Sequence, residues 1–211
     1  MAVFLRKKKM TSKYTWLLDP GHGGMIDGEY QTEGKRSPKF EFGQYFEGVG
    51  NREIVHKLMR ACKEAGILAI NIVETEEDMP LKERVERANI LQRLHKNCIY
   101  VSIHSDAFHQ EQANGYSVYT SPGETRSDQI AEIFIESMEK EFPEHNLRQD
   151  LSDGDKDKEA KFYVLKNTIS PAILIENFFM TNKRECELLL NEAFQDQIVR
   201  CHMESIKRIE E

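Results

Sequence analysis

The chain has 211 residues, enough for one sizeable domain whose core needs no cross-links. Hydrophobic residues are 39% and charged residues 31%, an ordinary globular composition, and no apolar run is long enough to span a bilayer. A net charge of −7, with a basic cluster only in the first thirteen residues, argues against a nucleic-acid binder and against membrane insertion.

Residues 1–13 read as a basic tail and 14–211 as a single folded domain. In "MAVFLRKKKM" the apolar stretch precedes the lysines, the reverse of a secretory signal, so a cytoplasmic product is expected. "YTWLLD" predicts a first strand. In residues 51–66, Ile54, Val55, Leu58, Met59 and Cys62 fall at helical spacing, and Gly66 stops that helix. "ILAINIV" predicts a second strand, buried on both faces because its apolarity is continuous. Residues 81–94 predict a helix with Leu81, Val85, Ala88 and Leu91 on one face. "CIYVSIH" and "GYSVYT" follow as strands, and residues 127–142 as a helix carrying Ile130, Ala131, Phe134, Ile135 and Met138. "KFYVL" and "PAILIE" predict two short strands, and 183–209 one or two closing helices. This alternation means an α/β domain around a mostly parallel sheet. The long polar stretches 25–46 and 143–161 are the kind of loop that carries function or moves. Cys62, Cys98, Cys186 and Cys201 are widely spaced and read as reduced thiols.

Residues capable of metal or acid–base chemistry stand where these strands end. His22 follows the first strand within "LLDPGHGG", where glycines let the chain turn sharply; His104 closes "CIYVSIH"; Glu176 closes "PAILIE". The carboxyl ends of parallel strands share one edge of the sheet, and Glu47, just before the first helix, belongs to that same rim. Two histidines and a carboxylate are usual ligands of a catalytic zinc, with a further carboxylate free to act as base. The residue types alone leave open which glutamate would bind and which would act as base.

The motifs "LLDPGHGG", Glu47-x-x-x-Asn51, "SIHSDA" (102–107) and "AILIENFFMTN" (172–182) occur in an order that resembles the zinc-dependent N-acetylmuramoyl-L-alanine amidases of the Amidase_3 family. The resemblance runs from Thr15 to Ile209. It implies Zn2+ bound by His22, Glu47 and His104, Glu176 as catalytic base, and a twisted, mostly parallel six-stranded sheet with helices on both faces. It also implies peptidoglycan as substrate, cut between N-acetylmuramic acid and L-alanine. Asp106 stands where the family often has Asn; it either caps a turn or tunes a ligand. Glu41, and less so Glu29 and Glu33, compete with Glu47 for the third ligand.

Other readings start from the same residues. A zinc peptidase cutting within the stem or cross-bridge would use the same ligands, and a non-catalytic wall-binding module would keep the fold without needing a base. The glycine loop lacks the Lys-Ser/Thr of a P-loop. His56, His95, His109, His145 and His202 lie in helical or loop contexts and are not expected as ligands. The aromatic run Phe40, Phe42, Tyr45, Phe46 is either a substrate platform or a lid packed on its own scaffold. A chain made in the cytosol and acting on the wall suits a phage or prophage enzyme released at lysis.

Overall fold

The computed structural model describes residues 12–152 and 154–211. The basic tail expected over 1–13 therefore lies almost wholly outside the described residues. Within them, Ser12 and Lys13 are already tied to Glu210 by hydrogen bonds.

The strands are β1 (Thr15–Pro20), β2 (Met25–Ile26), β3 (Glu29–Tyr30), β4 (Leu68–Asn71), β5 (Cys98–Asp106), β6 (Ser117–Thr120), β7 (Lys158–Glu159) and β8 (Ala172–Phe179). The helices are α1 (Glu47–Ala65), α2 (Leu81–His95), α3 (Arg126–Glu141), α4 (Tyr163–Asn167), α5 (Lys183–Leu190) and α6 (Glu192–Glu210). Six strands form one sheet in the order β4-β1-β5-β8-β6-β7, and β2 and β3 form a small hairpin. β4, β1, β5 and β8 are parallel, β6 runs antiparallel to β8, and β7 parallel to β6. The expected six-stranded, mostly parallel sheet is present.

Side chains alternate across each strand, so the sheet builds two cores. Trp16, Leu18, Val101, Ile103 and Ile175 pack with buried residues of α1, α3, α5 and α6. Leu17, Tyr100 and Leu174 face the other way and pack with Val85 and Ala88 of α2 and with Val164 and Leu165 of α4. α1 ends at Gly66, whose φ of 76° is left-handed and costs glycine little. α3 opens on a capping box formed by Thr125 and Asp128. All four cysteines are free and buried.

Four expectations change. The "ILAINIV" segment is not buried on both faces: among the described residues β4 is the sheet edge, paired with β1 alone, and its four residues are half-buried. "KFYVL" is not a strand. The sheet pairing starts three residues earlier, at β7, and α4 makes a single turn that buries Val164 and Leu165 while leaving Phe162 and Tyr163 exposed. A four-residue apolar run carries no periodicity that separates these outcomes. Leu81 is 54% exposed instead of facing the core beside Val85, because it begins α2 at the rim of a cleft. α1 also starts at Glu47, a turn earlier than the apolar pattern reveals, since its first turn is "EGVG".

Candidate metal centre and catalytic cleft

His22 lies just past the carboxyl end of β1, in a backbone conformation unusual for its type. Its φ is 67°, whereas Gly21, Gly23 and Gly24 are not left-handed. The sharp turn is thus made at the histidine, and the glycines serve close approach instead. A Cβ on Gly21 would stand 2.1 Å from the His104 ring, and one on Gly48 would stand 1.9 Å from the Gly23 carbonyl oxygen. Left-handed backbone on a non-glycine residue persists only when its surroundings hold it. Two buried arginines do so: Arg52 Nη1 donates to the His22 carbonyl at 2.8 Å and Arg84 Nη2 at 3.1 Å. Asn51, one turn after Glu47, donates to the Gly21 carbonyl at 3.2 Å.

The loop brings His22 onto Glu47. His22 Nε2 lies 3.2 Å from Glu47 Oε1, and His104 Nδ1 lies 3.0 Å from that same oxygen. The two imidazoles meet edge to face, with ring centres 5.0 Å apart. Burial pushes the Glu47 carboxyl up, but hydrogen bonds from His104 and His22 outweigh it and bring it down to about 2. One donor atom from each residue lies within 4.8 Å of the others. Arms of ~2.0–2.1 Å around a tetrahedral zinc would set their donors roughly 3.3 Å apart, close to the separations seen here. The nitrogen–nitrogen–oxygen donor set and its spacing fit that ion.

Glu176 stands beside His104 in the β5–β8 register. Its Oε2 is enclosed and has no hydrogen-bond partner. Burial, then the charges of Glu47 and Asp106, hold this carboxyl well above the usual carboxylate range. Both residues line a cavity of about 360 Å³. Leu81, Phe162, Tyr163 and Val164 give that cavity an apolar wall, and its lining also includes Lys35 and Asp106.

The structure separates the sequence candidates. His22, Glu47, His104 and Glu176 share this cavity. Glu41 is exposed and paired with Lys183, and Glu29 and Glu33 are exposed on the hairpin segment. Asp106 Oδ1 accepts from the Ala107 N–H at 2.7 Å, as a turn residue does, while also lining the cavity. Phe40 and Phe42 stack on each other and pack against the core, and Tyr45 is buried, so this run is scaffold; the aromatic wall comes from Phe162 and Tyr163.

Several supporting residues escape a reading of the sequence. Asp19 is buried and accepts from Arg84 Nη1, Tyr100 Oη and Ser102 Oγ at 2.5, 2.5 and 2.8 Å. Arg84 lies in a charged helix that reads as solvent-facing, yet it is 1% exposed. Asn177 Nδ2 donates to the His104 carbonyl at 3.3 Å, and its Oδ1 pairs with His202 Nε2 at 3.0 Å. A signal was present for Asp19, a carboxylate directly after a buried apolar run.

The sequence profile of Amidase_3, N-acetylmuramoyl-L-alanine amidase, matches residues 17–208. The chain belongs to this family. Among its relatives are the endolysin of Bacillus phage SPP1, 25% identical over 203 residues, and the N-acetylmuramoyl-L-alanine amidase AmiA of Escherichia coli, 25% identical over 243. The alignments take in 94% and 95% of this chain but 66% of the endolysin and 78% of AmiA, so both relatives are longer. The crystal structure of an N-acetylmuramoyl-L-alanine amidase from Clostridium difficile 630 superposes with a TM-score of 0.76 at 25% identity, covering 92% of this chain and 95% of that one. The amidase Ami1 of Mycobacterium smegmatis shares the fold, with a TM-score of 0.76 at 18% identity over 95% of this chain and 98% of its own.

Proposed function

We propose that this amidase hydrolyses the bond between the lactyl group of N-acetylmuramic acid and the first L-alanine of the peptidoglycan stem, with zinc held by His22, Glu47 and His104. The observation that carries this reading is the convergence of both imidazoles on Glu47 Oε1, beside an enclosed, partnerless oxygen of Glu176. Zinc, when bound, supplies Lewis acidity that polarises a carbonyl and makes water a nucleophile near neutral pH.

The chain's own groups do the rest. Glu47 balances charge and fixes both imidazoles at once, and the Arg52 and Arg84 bonds to the His22 carbonyl hold that ring in place. Glu176 takes a proton from the attacking water on a carboxylate oxygen and delivers it to the leaving amine nitrogen. The apolar wall of Leu81, Phe162 and Tyr163 shields one side of the scissile amide from water. Activity on the wall after cell lysis is part of the same reading, supported by the similarity to a phage endolysin.

The test is a digest of purified peptidoglycan, with and without chelator, read as new chain ends. New N-terminal L-alanine, no new reducing sugar ends and rescue by zinc are expected. New amino termini from any other residue would make the enzyme a peptidase, and no new ends with retained binding would make it a wall-binding module.

A further inference from the structure

A second group of side chains close enough together to hold a metal ion lies far from His22 and His104 in sequence and offers only oxygen donors. Carboxylate oxygens of Glu132, on α3, and of Asp155 and Asp157, on the turn before β7, lie within 4.8 Å of one another. Asp157 is 1% exposed; Thr120 Oγ1 donates to its Oδ2 at 2.6 Å, while its Oδ1 is enclosed without a hydrogen-bond donor. The Lys156 N–H donates to Glu132 Oε1 at 2.7 Å, which fastens the turn to α3. The Lys156 ammonium is engaged elsewhere, with Glu139 at 2.7 Å. A buried carboxylate oxygen facing two other carboxylates, with no donor outside that group, is relieved by a bound cation or by a proton shared with Asp155.

We propose that Glu132, Asp155 and Asp157 bind a hard divalent cation of the calcium class. Three carboxylates and no nitrogen or sulfur donor disfavour zinc, whose preferred partners are imidazole and thiolate. Calcium tolerates irregular oxygen shells completed by water or carbonyls, whereas magnesium demands near-ideal octahedral geometry. The ion would tie the turn to α3. β7 follows directly, and Phe162 and Tyr163 come next, so the apolar wall of the cleft would be anchored from behind.

The experiment is a calcium titration of the zinc-loaded full-length chain by calorimetry, with metal analysis and thermal melting in parallel. One calcium per chain is expected, with zinc content unchanged. At a hundredfold excess over Kd the melting temperature should rise by roughly 5–10 °C. Asp157→Asn and Glu132→Gln should each weaken calcium binding tenfold or more while leaving zinc in place. A His104→Ala chain should still bind calcium; loss of calcium there would put the ion at the histidine site and overturn the proposal. No heat and no melting shift at millimolar calcium would also overturn it, as would undiminished affinity in the two carboxamide variants. If Asp157→Asn fails to fold, Glu132→Gln, a partly exposed position on α3, decides alone.

Discussion

Asp19, near the end of β1, and Glu176, within the carboxyl-terminal half of β8, are carboxylates of one sheet whose surroundings differ. Asp19 meets a guanidinium, a phenol and a hydroxyl, and these outweigh burial to bring its carboxyl below the usual range. Glu176 keeps one oxygen with no partner, and burial together with the charges of Glu47 and Asp106 lifts it well above that range. On the proposed mechanism, the contrast separates a carboxylate that holds the fold from one that serves as the base. Satisfied, charge-paired groups are structural; a starved one beside a cavity is where chemistry belongs.

The sharpest way to break the contrast is to neutralise each side. Glu176→Gln keeps the shape but cannot accept a proton, so turnover should fall by about 10²–10⁴-fold with zinc content unchanged. A drop under tenfold in a zinc-loaded sample would place the base elsewhere. Asp19→Asn should do the reverse. It leaves Arg84 buried with only the partly exposed Asp78, 3.6 Å away, as counter-charge, which costs on the order of 3 kcal/mol of stability, read in denaturant melts. Turnover per folded, zinc-loaded molecule should change far less than in Glu176→Gln. His22→Ala and His104→Ala test the ground between the two. Each should lower zinc affinity by more than the ~10–100-fold that loss of an outer partner costs, and a metal assay showing full zinc in either would remove that residue from the ligand set.

Which part of this contrast was legible beforehand follows from what a sequence encodes locally. His22, His104 and Glu176 could be found because each ends an apolar run, and strand ends of a parallel sheet meet at one edge. Topology put Glu47 on that rim too, but choosing it as ligand over base, and over Glu41, needed the family motif, since "EGVG" hides the first turn of α1. Asp19 carried a signal that went unread, and its partner carried none. Arg84 is one of many charges on α2, and only the fold turns that charge inward beneath the His22 loop. The apolar wall was missed for a related reason: "KFYVL" is too short to reveal whether its period is two or 3.6. The left-handed φ of His22 had no signal at all, because its glycine neighbours are the residues expected to adopt it.

Glu185 supplies the smallest and most discriminating test, because it lies between the two cases. It is 2% exposed and accepts backbone N–H bonds from Gly115 and Phe179, both at 2.8 Å, yet no guanidinium or ammonium bonds to it among the described interactions. Burial outweighs both bonds and raises its carboxyl to about 7. His145, 3.5 Å away, is itself pushed down by burial and so is a poor source of positive charge near neutrality. A carboxyl raised in the folded state binds its proton more tightly there than when unfolded. Its contribution is therefore complete below the unfolded value of 4.5 and is lost as pH rises through about 7. Asp19, lowered in the folded state, contributes with the opposite sign and loses its share as pH falls. Between pH 4.5 and 7 the stability of the parent chain relative to Glu185→Gln should decline by roughly 1.4 kcal/mol per pH unit, measured by denaturant melts across that window. A flat difference would mean that two backbone donors suffice to hold a buried carboxylate ionised. The cation beside Asp19 would then no longer explain what sets it apart from Glu176.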